Sequence, residues 1–357
     1  MSVNDERIAL ERVNTPPAQT WNYLRTNDIT LTVPAHSRKG DVFFALPRLF
    51  EQVECGMGPK VTEWVESQAA DAHYVEVRAG VQRAEPIIAE DDTGVMVRAG
   101  AEATIVIGAS PTEEALDTSA SLVRIIAERD TTVHVLEFVA ENADQHVHSV
   151  GITAGANARI DVRQFFLAAG TTAAGLTVAL DGDHARLDLS CRYLGREHDV
   201  LDINHVVRQR GRQTRANVRE SGVLDGHARK ALRATIDLIH GSSGSEGAEL
   251  ESVLVLSDDV TNKTMPVILC DEDDVAGNHG ASIGSIAPEQ IQYLRDRGLS
   301  LEEAEALYQR ALFDEALIAA PTAGIRHTVL ARATAVLGAD VANDLVAGLG
   351  LDEAKEV

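Results

Sequence analysis

Short segments that alternate between apolar and polar residues follow one another through the middle of the chain, and they limit its fold more than any other feature. They cover residues 74–77, 95–97, 104–107, 133–136, 160–163, 176–178, 187–189, 234–238 and 252–255. Such alternation points successive side chains to opposite faces of a strand, so each segment is predicted to be a β-strand with one face inward. Helix signals are nearly absent between the segments, which predicts a mainly β body.

Proline is missing from most of the same region. None occurs between Pro111 and Pro266, as expected where nearly every backbone N–H belongs to a sheet ladder. Aromatic residues make up only 4% of the chain, so small aliphatic side chains must fill the core. These two features indicate a narrow interior between stacked strands.

The sequence also repeats itself weakly. Residues 158–162 (ARIDV) return as residues 185–189 (ARLDL), and residues 226–229 (GHAR) echo residues 183–186 (DHAR). Echoes at a spacing of roughly 20–30 residues are typical of the coils of a solenoid. A double-sheet jelly roll would show a similar strand pattern, so the pattern alone leaves both folds open.

A series of spaced motifs near the end of the strand region is recognisable. It comprises residues 254–257 (LVLS), Pro266, and residues 273–275 (DDV), 279–281 (HGA), 283–284 (IG), 289–290 (EQ) and 293–298 (YLRDRG). In this order the motifs resemble the C-terminal signature of the SufB/SufD family, which builds iron–sulfur clusters together with the ATPase SufC. The resemblance implies a right-handed parallel β-helix flanked by helical segments, which favours the solenoid over the jelly roll.

Three regions follow from these signals. We expect a mixed, partly helical N-terminal region over residues 1–73, a β-helix core over residues 74–286 and a C-terminal helical domain over residues 287–357. In the first region, residues 29–34 alternate like a strand and residues 61–65 are predicted to be helical.

Helix signals are concentrated in the C-terminal region. Pro288 suits a first helical position, and Ser300 with Glu303 forms a capping box. An apolar stripe at helical spacing follows, made of Leu301, Ala304, Leu307, Tyr308, Ala311 and Leu312. Such a stripe must pack either on the solenoid itself or on a partner. The resemblance implies docking of SufC here, through Tyr293, Leu294, Arg295, Arg297, Gly298, Leu301, Leu307 and Tyr308.

His279 is the residue of this region with the most chemical interest. From the residues alone, a structural side chain and a metal ligand both remain open. In the resemblance His279 corresponds to the histidine of the SufD pattern Asp-Asp-Val-x-Cys-Ser-His-Gly, which is implicated in nascent cluster or iron binding where two β-helices meet. Gly277 and Asn278 stand where SufD usually has Cys and Ser. The nearby Asp273 or Asp274 is expected to orient the imidazole.

The cysteines limit what the chain can bind alone. Cys55, Cys191 and Cys270 are widely separated and form neither a disulfide framework nor a Cys-x-x-Cys site. Thiolates hold iron–sulfur clusters, so a four-cysteine site cannot come from this chain. No cysteine lies within residues 256–264 either, where SufB-type members carry one. We expect His279 and Cys270 to share a transient cluster or iron with a partner chain, with none tightly bound in the isolated chain.

The expected function is therefore that of a SufD-like scaffold without catalytic chemistry of its own. The implied partners are a SufC-type ABC ATPase and either a SufB-type subunit or a second copy, through a dimer at the β-helix edge. A self-sufficient homodimeric scaffold in a minimal Suf system is the closest alternative. More remote alternatives are a β-helix enzyme acting on carbohydrate and a serine hydrolase. The hydrolase would use Ser282 in a G-x-S-x-G match, with Asp314 and His327 downstream.

Three further motifs are predicted to carry no chemistry. His146 and His148 fall on one face of a strand and are expected to be ordinary surface residues rather than metal chelators. The acidic run at residues 271–274 is predicted to be a solvated turn. Residues 241–247 are glycine-rich but lack the lysine of a phosphate-binding loop, so a turn between coils is expected.

Charge and hydropathy exclude two classes of partner. The net charge of the 357 residues is -23, which argues against nucleic acid and against anionic membrane surfaces. No apolar run approaches the ~20 residues of a membrane span, and the polar N-terminal residues do not resemble a signal peptide. A soluble cytoplasmic protein is expected.

Overall fold

The computed structural model describes residues 6–20, 22–35, 44–68, 71–108 and 116–349. Its first elements are an antiparallel hairpin of β1 (Arg7–Val13) and β2 (Ile29–Pro34), followed by helix α1 (Pro59–Gln68). Short 3-10 helices at Asn22–Leu24 and Arg48–Gln52 accompany them. The strand and the helix predicted in the N-terminal region are both present.

Two parallel sheets of eight strands each form the body of the protein. Sheet 1 contains β3 (His73–Val77), β5 (Asp92–Val97), β7 (Leu116–Ala127), β9 (Ala143–Ala154), β11 (Thr171–Leu180), β13 (Val200–Gln209), β15 (Arg229–Leu238) and β17 (Thr261–Cys270). Sheet 2 contains β4 (Ile87–Ala89), β6 (Glu102–Ile107), β8 (Thr132–Val139), β10 (Arg159–Phe166), β12 (Arg186–Gly195), β14 (Arg215–Leu224), β16 (Ser245–Val255) and β18 (Val275–Gly284). The chain changes sheet after every strand, so neighbours within a sheet are two strands apart in sequence.

This topology is a parallel β-solenoid, and the prediction of a β-helix is confirmed. A jelly roll is excluded because its strands are antiparallel. The repeat at residues 158–162 and 185–189 lies in register on adjacent strands, with Arg159 opposite Arg186 and Ile160 opposite Leu187. The echo of residues 183–186 at residues 226–229 does not stack in this way. Arg229 begins a strand of sheet 1, whereas Arg186 begins a strand of sheet 2.

The core lies between the sheets and is built from aliphatic side chains. It includes Val95, Ile105, Val135, Val150, Ile160, Leu187 and Ile236. Pro266 lies in β17, the last strand of sheet 1, and an edge strand is where a sheet tolerates proline.

The N-terminal elements cover the outer face of sheet 1. Leu10, Val61 and Trp64 pack against Val147 and Ala173. A buried ion pair adds to this contact, because Arg233 Nη1 lies 2.8 Å from Asp202 Oδ1, which also accepts a 2.8 Å hydrogen bond from Asn14 Nδ2.

The C-terminal helices cover the outer face of sheet 2. They are α2 (Pro288–Arg295), α3 (Leu301–Ala319), α4 (Ala323–Leu337) and α5 (Ala339–Gly348). Phe313, Leu317 and Val329 pack against Phe138 and Phe165 of the sheet. The capping box is formed, since Ser300 Oγ accepts from Glu303 N at 3.1 Å and Glu303 Oε2 accepts from Ser300 N at 2.7 Å.

The apolar stripe of α3 is consequently divided between two surroundings. Ala304 and Leu312 are buried against the protein itself, whereas Leu301 and Leu307 remain 38% and 41% exposed. The helical region therefore lies along the flank of the solenoid. Among the described residues, no helix is both long and apolar enough to cross a membrane.

Candidate functional site

The C-terminal end of the solenoid carries the predicted ligand His279. This residue lies in β18, the terminal strand of sheet 2, in register with Glu249 of β16. In-register residues of parallel strands project from the same face, and neighbouring strands are about 4.8 Å apart. Glu249 faces inward and is only 4% exposed, so His279 faces the same way but is exposed because no described strand follows it.

The carboxyl group next to His279 is therefore that of Glu249, whereas the sequence predicts Asp273 or Asp274. Asp274 lies in the turn before β18, where its Oδ2 accepts a 2.7 Å hydrogen bond from Ser243 Oγ. Glu272 of the same turn accepts from the backbone N–H of Gly241 at 2.9 Å. The acidic run therefore ties two successive turns together. Residues 241–244 form the other turn, whereas residues 245–247, which were predicted to belong to it, are part of strand β16.

Cys270 does not lie beside His279. It is the last residue of β17 and is exposed, and its Sγ lies 3.3 Å from the carbonyl oxygen of Glu272. A Cβ on Gly277 would be 3.0 Å from Ile268, so those two positions face each other across the interior. Cys270 lies two residues after Ile268 and is therefore nearer the turn that connects the two strands. His279 lies two residues after Gly277 and is therefore further from that turn. The two side chains diverge, and they form no ligand pair within this chain.

A row of buried polar residues runs inside the solenoid below this end. Glu137, Gln164, Cys191, Glu220 and Glu251 occupy in-register positions on five adjacent strands of sheet 2, and we call them the interior polar row. Each is at most 1% exposed. Buried carboxyl groups are unusual and require partners, so the row marks a specialised part of the core.

Glu251 is the most connected member of the row. One of its oxygens accepts from Lys230 Nζ and from Tyr193 OH, the latter at 2.7 Å. The other accepts a 2.6 Å hydrogen bond from Thr264 Oγ1. Lys230 and Glu251 are both fully buried, and burial lowers the pKa of Lys230 despite this partner. The ion pair therefore exists without access to water.

Two further carboxyl groups near this end, those of Glu220 and Glu249, favour the protonated form at neutral pH. Burial raises the pKa of Glu220 to about 8, and the charge of Glu251 acts in the same direction. Burial, together with Glu220, also raises the pKa of Glu249 to about 8. Burial lowers the pKa of His205, whose Nδ1 lies 3.0 Å from Glu220 Oε1, to about 4. Two carboxyl groups that favour their protonated forms and one neutral imidazole thus lie in the interior near the C-terminal end of the solenoid.

Sequence reasoning missed these interior residues, although one signal was present. Glu249 and Glu251 alternate in phase with the buried Val253, so a strict period of two places them inside. The thiol of Cys191 lies in the row as well, and burial raises its pKa well above the ordinary value. A protonated, enclosed thiol is a poor cluster ligand.

One expectation is corrected here, and the remote hydrolase alternative loses its motif. His146 and His148 are 0% and 2% exposed, so they are interior rather than surface residues, because the even-numbered positions of β9 face the core. Ser282 lies within β18, and the next helix begins only at Pro288. A nucleophile elbow requires a strand-to-helix turn at the serine, so the G-x-S-x-G match is not an elbow.

The residues predicted to dock a partner lie around α2 and the start of α3. None of the residues of α2 is buried. Tyr293 is 56% exposed and its ring lies 3.9 Å from the Arg297 guanidinium. Arg295 and Gly298 are exposed, and Leu294 and Tyr308 are half-buried. Leu301 and Leu307 are exposed as well, so none of the residues predicted to dock a partner is buried.

The fold and its interior define a parallel β-solenoid with a polar core row and a helical flank. The family model described as "SUF system FeS cluster assembly, SufBD core domain" matches residues 81–312. The chain therefore belongs to this family, and the resemblance recognised in its motifs is confirmed.

Curated relatives are similar to the chain at low identity. It is 27% identical over 176 residues to the iron–sulfur cluster assembly protein SufD of Bacillus subtilis, covering 49% of this chain and 40% of that protein. It is 24% identical over 153 residues to SufD of Escherichia coli, covering 43% and 36%. A chloroplastic SufBD family protein of Arabidopsis thaliana is 22% identical over 156 residues, covering 44% and 28%. The chain thus spans less than half of each relative, and the family supports a role in SUF iron–sulfur cluster assembly.

Proposed function

We propose that this chain is a scaffold subunit of a SUF-type iron–sulfur cluster assembly complex, and not an enzyme. In this role it presents the end of its solenoid to a SufB-type chain or to a second copy of itself. It presents the region around α2 to a SufC-type ATPase. A transient cluster or iron would be bound at the junction of the two solenoids as cargo.

The observation that carries the proposal is the uncovered terminal edge of sheet 2. Strand β18 has a hydrogen-bonded neighbour on one side only among the described residues, and such an edge invites pairing with another chain. Ile283 lies in register with Val253, which is 4% exposed, yet Ile283 itself is 54% exposed. The last apolar side chain of this inward-facing row is thus exposed to solvent. Such exposure is expected where a second solenoid packs against the end of the first.

The cysteine content supports a shared site. All three cysteines are described, and Cys55 is half-buried, Cys191 buried and Cys270 exposed. Among the described residues, the one group of three or more potential metal ligands contains no cysteine, which supports a cluster whose thiolates come mainly from a partner. His279 at the open end is suited to contribute one nitrogen ligand, with thiolates coming from the partner.

The test is an assembly measurement with a matched control. Ile283→Glu introduces a charge at the terminal edge, whereas Ile88→Glu does so on β4 at the opposite end of the same sheet, where Ile88 is 44% exposed. Light scattering after size-exclusion chromatography, with and without a SufB-type chain, gives the assembly state. We expect only Ile283→Glu to abolish dimerisation. Unchanged dimers in both variants would remove this edge from the proposal.

The same measurement separates the two closest alternatives. Dimers of the chain alone that persist when a SufB-type chain is added would favour the self-sufficient homodimeric scaffold. A monomer that dimerises only with the SufB-type chain would favour the heteromeric complex.

A further inference from the structure

Two histidines and a glutamate lie together inside the solenoid, far from its C-terminal end. His146 and His148 face inward from β9, and Glu141 belongs to the turn that precedes this strand. Their exposed fractions are 0%, 2% and 4%. One potential ligand atom from each lies within 4.8 Å of the others. We call these three residues the histidine cluster.

Two of the three distances within the cluster are close to those between ligands of one metal ion. Glu141 Oε1 lies 3.1 Å from His146 Nδ1 and 3.7 Å from His148 Nε2. Ligands held about 2.0–2.1 Å from a tetrahedral ion are about 3.3 Å from one another. The ligand atoms of the three residues all lie within 4.8 Å of one another, so one ion can be bound by all three after the side chains adjust.

Polar neighbours hold the cluster in this arrangement. Ser119 Oγ donates a 2.8 Å hydrogen bond to Glu141 Oε1. On the far side of the other imidazole, His148 Nδ1 lies 3.0 Å from Ser121 Oγ and 3.3 Å from Glu137 Oε1. A carboxylate on the outer nitrogen of a histidine is the usual support of a metal ligand.

An independent observation also points to a ligand. Among the described residues, the Nε2 atoms of His146 and His148 are buried and have no hydrogen-bond partner. A buried polar atom without a partner is costly, and a metal bond to His148 Nε2 would satisfy it. His148, Ser119 and Ser121 also line a pocket of about 300 Å³, which provides an approach to the cluster.

From this geometry we propose that Glu141, His146 and His148 bind one divalent transition-metal ion that prefers nitrogen and oxygen ligands, Fe²⁺ or Zn²⁺. Two imidazoles and one carboxylate are the ligand set of such ions, and they leave a coordination position open. This site is separate from His279 and does not depend on the proposed function. The competing explanation is a metal-free ion pair. Although burial opposes it, Glu137 and Glu141 raise the pKa of His148 to about 9, which allows a cationic imidazole in place of the ion.

The experiment uses the full chain without an affinity tag, freed of metal by a chelator. The background variant carries His198→Gln and His227→Gln, because those two rings stack 5.1 Å apart and offer an adventitious pair of ligands. Titration with Co²⁺, followed by its visible absorption, and with Zn²⁺, followed by calorimetry, gives stoichiometry and affinity. We expect one equivalent of either ion.

Cluster variants are compared with a histidine outside the cluster. Glu141→Gln, His146→Gln and His148→Gln should each weaken binding by more than about 100-fold. His134→Gln should leave binding unchanged, because His134 is 40% exposed and faces Asp161 across 3.8 Å on the outer side of β8. Absence of a bound equivalent in the background variant, or equal binding in all variants, would overturn the proposal in favour of the ion pair.

A second measurement remains valid even where a cluster variant fails to fold. X-ray absorption of Zn²⁺ bound to the background variant counts the imidazoles around the ion. Two imidazoles together with oxygen ligands are expected. One imidazole, or none, would exclude the histidine cluster as the site.

Discussion

Glu249 and His279 lie side by side on the last two strands of sheet 2, and only the histidine is exposed. The pair brings together a carboxyl group with a pKa raised by burial and an imidazole open to a partner. A buried carboxyl group that favours its protonated form therefore lies on the strand next to the residue proposed to contact the cluster. The end of the solenoid therefore places two titratable side chains next to each other, in addition to the backbone groups that an edge strand offers to a partner.

His279→Ala should leave folding and assembly intact but reduce the iron–sulfur cluster formed by the reconstituted complex. The side chain is exposed, and surface substitutions usually change stability by less than about 0.5 kcal/mol. The measurement is cluster absorbance per assembled complex, with thermal unfolding as the control. Wild-type loading by a normally assembled variant would show that His279 is not a ligand here.

Glu220→Gln should flatten the dependence of stability on pH. The folded protein keeps a proton on Glu220 up to about pH 8, whereas an unfolded glutamate releases it near 4.3. This contribution to stability is full below the unfolded pKa and is lost as pH rises toward 8. Urea unfolding between pH 5 and pH 8 should show a steeper fall for the wild type than for the variant. Parallel curves would contradict the raised pKa.

Lys230→Met should destabilise the protein by about 3–5 kcal/mol, since it leaves the carboxylate of Glu251 buried without its cation. The matched control is Arg212→Met, which breaks a pair with Asp183 whose side chains are 69% and 41% exposed. Exposed pairs contribute less than about 1 kcal/mol. Chemical denaturation of both variants gives the comparison, and equal losses would argue against a buried ion pair.

Leu307 and Leu312 on helix α3 should separate docking from folding. Leu312→Ala should cost about 2–5 kcal/mol because it leaves a cavity against sheet 2, where Leu312 is 7% exposed. Leu307→Ala should leave stability nearly unchanged but weaken binding of a SufC-type ATPase. Thermal unfolding and a pull-down with the ATPase are the two measurements. Undiminished binding by Leu307→Ala would place the docking surface elsewhere.

The sequence predicts the solenoid well because its repeats are local. Arg159 and Arg186 begin matching segments, and the matching segments stack directly. The interior polar row cannot be predicted in the same way, because its hydrogen bonds connect residues that are far apart in the sequence. Tyr193 and Glu251 are 58 residues apart, and their hydrogen bond depends on which strands face each other. The burial of His146 and His148 escapes the sequence for another reason. Alternation shows that two residues share one face of a strand, but it does not show which face is buried.

The return of the C-terminal helices onto sheet 2 has a consequence for the order in which the chain is made. Each coil of the solenoid packs on the one synthesised before it, so the coils can form one after another during translation. The aromatic pair Phe138 and Phe165, which stacks with ring centroids 5.1 Å apart, packs against residues of the C-terminal helices, which are synthesised much later. A chain truncated before Phe313 would therefore expose apolar side chains on the outer face of sheet 2, although its solenoid would be complete. Such an unfinished product is the form that chaperones and proteases are equipped to recognise.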